Sequence, residues 1–84
     1  MIDYKAKMTK LQAIRLEKGL SQGQLAKLAE VNVRMLQNYE QDFRDINGAK
    51  LSTLLKLCLA LNCTLSDILD DEETLELLRK YEAR

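Results

Sequence analysis

Eighty-four residues with 13 Lys/Arg, 13 Asp/Glu, no His and no Pro make a neutral chain of one domain. A chain of this length buries about 60–65% of the surface its unfolded form exposes, so its core is thin. Neutrality argues against strong non-specific adhesion of the whole chain to nucleic acid. Two cysteines without a histidine argue against a zinc site of the usual Cys/His kind, and no apolar run approaches a membrane span.

The composition is rich in Leu, Ala, Lys, Glu, Gln and Arg, all good helix formers, and an all-α fold is expected. A first helix starts at Lys5 or Thr9 and runs to Lys18, with Met8, Leu11 and Ile14 on its apolar face and Leu16 flanking. Gly19 stops it in a left-handed cap. Ser21 and Gln24 form a capping box that opens a second helix. There Leu25, Leu28 and Ala29 share a stripe, with small Ala26 beside them where helices must cross closely. Gly23 in its first turn costs up to ~1 kcal/mol against alanine.

Glu30-Val31-Asn32 is a tight turn, and Asn32 caps a third helix over about Val33 to Gln41. Leu36 and Tyr39 point inward on that helix, and Val31 plugs the corner. Val33, Arg34, Gln37, Asn38 and Gln41 lie on the other side. One cation, three amides and no acid suit the reading of base edges, since Arg pairs with guanine and Asn or Gln with adenine.

Asp42 to Ala49 is read as a loop. A fourth helix over about Lys50 to Leu61 is apolar nearly all round, which makes it central or interfacial, and Asn62 ends it. Thr64 caps a short fifth helix over about Leu65 to Leu69. A last helix spans about Asp71 to Ala83, with acids in its first turn and bases at its end, in keeping with the macrodipole. Its stripe is Leu75, Leu78 and Tyr81, with Leu77 offset. Leu28, Leu59, Leu75, Leu77 and Leu78 are surplus to a minimal core. They serve either a fuller intrachain core or self-association.

Residues 1–50 hold nine Lys/Arg against six Asp/Glu, and residues 51–84 hold four against seven, so the two-helix unit sits in the more basic half. Cys58 and Cys63 lie in or beside a leucine-rich segment and are expected as free thiols. An enzyme is disfavoured, because there is no histidine, no glycine-rich phosphate loop and no nucleophile beside an evident base. The first residues are charged rather than apolar, so no signal peptide is read and a cytoplasmic protein is expected.

The string Ile14-Arg15, Gly19-Leu20-Ser21-Gln22, Leu25-Ala26, Val31-Asn32, Leu36 and Tyr39-Glu40 resembles the phage-repressor-like (Xre/Cro-type) helix-turn-helix family. Leu51, Thr53 to Leu57, Ala60-Leu61, Leu65 and Asp67 to Leu69 resemble the rest of that domain, so the likeness covers roughly residues 8–69. It implies an all-α, five-helix lambda-repressor-like domain over residues 1–84, with the motif at about 21–41 and an additional C-terminal helix at about 71–83. It also implies a sequence-specific DNA-binding transcriptional regulator, usually a homodimeric repressor that docks its third helix in the major groove. The expected partners are double-stranded DNA and a second copy, with no cofactor, metal, membrane or small-molecule ligand.

The DNA-contacting set implied by the resemblance is Gln22, Asn32, Val33, Arg34, Gln37, Asn38 and Arg44. Gln22 either contacts phosphate or braces the reading residues. Arg15 is assigned instead to an ion pair with Glu40. The chain departs from the family where Glu30 and Asp42 replace common glycines, and where Val33, Gly23, Leu28 and Leu59 replace polar residues. Glu30 in a left-handed turn costs about 1 kcal/mol, and its carboxylate repels phosphate. These departures favour an alternative, a protein-interaction module of the same fold such as an antitoxin or an anti-repressor partner.

Overall fold

The computed structural model describes residues 8–84, in which six α-helices follow one another without a strand. They are α1 (Lys10–Glu17), α2 (Gln22–Ala29), α3 (Val33–Glu40), α4 (Leu51–Leu61), α5 (Leu65–Ile68) and α6 (Glu72–Glu82). A start of the first helix at Lys5 lies outside the described residues.

The helix ends are where the side chains would place them. Thr9 accepts the Gln12 N–H at the start of α1, and Gly19 follows α1 at φ 73°. Ser21 and Gln24 exchange the two hydrogen bonds of a capping box. Asn62 ends α4 at φ 53°. At α5 the Asp67 carboxylate accepts the Thr64 N–H, and at α6 Asp71 accepts from both the amide and the hydroxyl of Thr74. These bonds hold the Asp67 and Asp71 carboxyls below their ordinary pKa.

α2 packs on α3 and α4, α1 on α3 and α5, and α4 on α5. Leu11, Leu25, Leu36, Leu57, Leu61 and Ile68 are essentially inaccessible at the centre. α4 supplies Leu54, Leu57, Cys58 and Leu61, one face at helical spacing. Its opposite stripe of Leu51, Leu55 and Leu59 is exposed, Leu59 at 82%. The helix is therefore central on one side, as expected, and open on the other.

Two side-chain placements correct the sequence reading. Leu28 does not share the stripe of Leu25 and Ala29 but is 61% exposed. The buried face of α2 turns toward Ala26, because the small residues Ala26 and Ala29 let α3 and α4 each approach α2 closely. Tyr81 is likewise exposed, so among the described residues α6 leans on the core through half-buried Leu75 and Leu78. The stretch read as a loop contains a 3-10 turn, Ile46–Gly48, capped by Asp45, and it carries Ile46 into the core.

Among the described residues, three without glycine's freedom hold positive φ: Glu30 at 57°, Asp42 at 62° and Asn62 at 53°. The first two flank α3. Asn tolerates this conformation best, whereas Glu meets the Cβ–carbonyl clash in full. Glu30→Gly is expected to stabilise the fold by about 1 kcal/mol, raising Tm by about 4–8 °C in a thermal melt. An unchanged or lower Tm would show that the turn carries no such strain.

Candidate nucleic-acid interface

The α2–turn–α3 unit is fixed by backbone geometry before any side chain acts. Left-handed Glu30 ends α2, and the Val31 N–H bonds back to the Ala26 carbonyl at 3.0 Å. Asn32 then opens α3, its Oδ1 accepting the N–H groups of Arg34 at 2.8 Å and Met35 at 3.3 Å. Leu36 and Tyr39 bury the inner face of α3, so residues on its other side are turned outward.

A buried ion pair anchors this unit. The Arg15 guanidinium donates to both carboxylate oxygens of Glu40, at 2.6 and 3.0 Å, and to the Leu20 carbonyl at 2.7 Å. The Thr9 hydroxyl donates to the Glu40 carbonyl, tying the start of α1 to the end of α3. From the ion pair a relay of amides runs outward. Gln22 Nε2 donates to Glu40 Oε1 at 3.1 Å, and Gln37 Nε2 donates to Gln22 Oε1 at 3.2 Å.

The polarity of this relay is forced. An ionised carboxylate only accepts, so Gln22 must turn its –NH2 inward and its carbonyl outward. Gln37 must then offer one N–H to Gln22, which leaves its own carbonyl oxygen and second N–H for another partner. An acceptor beside a donor matches the N6 and N7 edge of adenine. The Arg15–Glu40 pair thus sets the orientation of an amide on α3.

The expected site residues are distributed as follows. Val33 and Arg34 are exposed, and Arg34 makes no side-chain bond among the described residues. Gln37 and Asn38 are half-buried on the same helix, one turn closer to its end. Gln22 is half-buried with both amide atoms engaged, which is the bracing geometry. Asn32 has committed its oxygen to the helix cap, so only its –NH2 is left for a phosphate. Arg44 stands apart from α3 in the following loop, exposed, with its N–H held by the Asn38 carbonyl.

Two features escaped the sequence reading. Phe43 is 74% exposed beside Arg44, with left-handed Asp42 before it. A lone aromatic inside the polar run Gln41 to Asp45 is the signal that marks it. Lys10 reaches the carbonyls of Ser66 and Leu69 at 2.7 and 2.6 Å and caps the end of α5, so this cation belongs to the scaffold.

Acids stand at both ends of α3. Glu30 and Asp42 are exposed, whereas Glu40 is buried and offset by Arg15. The cysteines are free thiols, Cys58 buried and Cys63 half-buried. Burial, with Cys63 alongside, pushes the Cys58 thiol up to about 12, away from the thiolate a nucleophile needs. Among the described residues no cluster of three or more His, Cys, Asp or Glu is placed to hold a metal, and no helix is long and apolar enough to cross a membrane.

A family model described as helix-turn-helix matches residues 11–68, more than half of the chain, spanning α1 to α5 and leaving α6 outside. No curated protein and no solved structure matches the chain. The matched segment carries the capped α2–turn–α3 unit and the ion pair beneath it, and the chain belongs to the Xre/Cro-type helix-turn-helix family of DNA-binding regulators.

Proposed function

We propose that this chain is a sequence-specific transcriptional repressor in which residues 1–84 act as one domain, two copies bind a palindromic operator, and α3 lies in the major groove. The observation that carries this reading is the outward face of α3: Arg34 unpaired, and Gln37 oriented by a relay that begins at a buried ion pair. Arg34, Gln37 and Asn38 choose the sequence, and Val33 meets a thymine methyl. Gln22, Asn32 and Arg44 hold the backbone, which positions the protein without reading sequence. Repression follows from occupancy, since a protein seated on a promoter excludes the transcription machinery. A cytoplasmic location accords with this role.

Selection of bound sequences from a random duplex pool tests the reading. A two-fold symmetric consensus is expected, with half-sites about one DNA turn apart. Failure to enrich any sequence overturns it. The salt dependence is a second check. With Arg44 meeting one phosphate in each of the two copies, log K against log salt should fall with a slope of about 2.

A second reading is favoured by one specific observation: exposed Glu30 and Asp42 bracket α3 with negative charge on a neutral chain. The fold would then serve as a protein-interaction module, an antitoxin or an anti-repressor partner. DNA binding that is absent or insensitive to salt selects this reading.

A further inference from the structure

α6 lies beyond the matched family segment and, among the described residues, packs Leu75 and Leu78 against the core. Its outward side is largely charged but carries two large apolar side chains. Leu77 and Tyr81, one turn apart, are 58% and 64% exposed. They border an open groove of about 380 Å³ between α4 and α6, where Leu51 at the start of the exposed α4 stripe joins them. Leu51, Leu77 and Tyr81 along one groove make a contiguous exposed apolar patch, the kind of surface that interfaces use.

The charges along the same strip identify what covers it. Glu73 lies one turn before Leu77, and Arg84 lies three residues after Tyr81. The strip therefore reads acid, leucine, tyrosine, base. Turned end for end, it is its own complement: Leu77 meets Tyr81 of a second copy and Glu73 meets Arg84. A parallel pair would set Glu73 against Glu73. A two-fold interface must be self-complementary in this way. The Arg84 guanidinium sits 4.8 Å from the centre of the Tyr81 ring, which holds the cation on the strip.

We propose that α6 pairs antiparallel with α6 of a second copy through Leu77, Tyr81, Glu73 and Arg84, and that this seam is the dimer interface. The inference rests on the homodimeric reading given above and names its surface. The seam is also connected to the DNA-facing side. Asn47, in the turn that follows α3, donates to the Asp70 carboxylate at 2.7 Å and accepts the N–H groups of Asp70 and Asp71 at 3.0 and 3.1 Å. The start of α6 is thus clamped to the segment leaving α3, so the angle of the α6 pair fixes the separation of the two α3 helices.

Sedimentation equilibrium of the full chain without DNA tests the proposal. A seam of one helix per copy is at the small end of specific interfaces, so a reversible dimer with a dissociation constant on the order of 10 μM is expected. Leu77→Glu should be monomeric throughout the micromolar range with unchanged helical circular dichroism, because the side chain it replaces is exposed. Glu73→Arg and Arg84→Glu should each weaken the dimer about tenfold, since each reversal acts twice across the two-fold. The chain carrying both reversals should recover wild-type affinity. A wild-type chain that stays monomeric, a dimer untouched by Leu77→Glu, or a double reversal that fails to recover overturns the seam. No DNA enters the measurement, so this result is independent of whether α3 reads bases.

Discussion

Replacing Glu40 with alanine is expected to destabilise the fold by about 3–5 kcal/mol, because it strands a buried guanidinium. Arg15 and Glu40 are both buried, and the carboxylate accepts three hydrogen bonds, two from Arg15 and one from Gln22. A chain of this length has a total stability of about 4–13 kcal/mol. The single change therefore removes a large share of it, and Tm should fall by at least ~15 °C. A urea melt supplies the free energy directly. A loss below ~1 kcal/mol would mean that the pair is hydrated and behaves like a surface ion pair.

The cost belongs to the stranded charge and not to the pair as such. Exchanging both partners, Arg15→Met with Glu40→Leu, removes two desolvated ions at once and should recover most of the lost stability. It should not recover function. Gln22 would lose the acceptor that orients it, and Gln37 would lose its guide. A stable double variant with relaxed DNA sequence preference would separate the two duties of the ion pair, holding α1 against α3 and aiming an amide. That outcome would account for a buried charge where an apolar pair would serve stability alone.

Much of this was legible in the residues. Capping is local chemistry, so Gly19, Ser21, Asn32 and Asn62 mark their helix ends without tertiary information. The inward faces of α3 and α4 follow from spacing, and the ion pair between Arg15 and Glu40 forms as expected. What was not legible depends on which neighbour an element meets. Leu28 and Ala26 sit on opposite edges of an eight-residue helix, too short for periodicity to decide between them; the packing of α3 and α4 on α2 decides. Ile46 enters the core from a polar loop because one 3-10 turn aims it there. Lys10 finds carbonyls more than fifty residues away, a partnership that no local pattern encodes. The glycine departures were visible as residue types, and their φ values show that Glu30 and Asp42 adopt the strained conformation rather than avoid it.

Gln37→Ala is expected to weaken binding to the selected operator by about 1–3 kcal/mol, roughly 5- to 150-fold, while changing affinity for a scrambled duplex little. The argument runs through the relay. With Gln22 donating to Glu40 and Gln37 donating to Gln22, the free carbonyl and N–H of Gln37 are held in one orientation before DNA arrives, so little rotamer freedom remains to be lost on contact. Asn38→Ala should act in the same direction and partly overlap with it, since neighbours on one helix face do not contribute additively. Gln22→Met discriminates the relay from simple contact. A thioether there neither donates to Glu40 nor offers Gln37 an amide oxygen, which frees Gln37 to rotate, and sequence preference should relax although no α3 residue has changed. A urea melt of each variant excludes unfolding as the cause. Discrimination between operator and scrambled DNA that is unchanged after both Gln37→Ala and Asn38→Ala would remove these amides from the reading of bases and shift the weight to Arg34 alone.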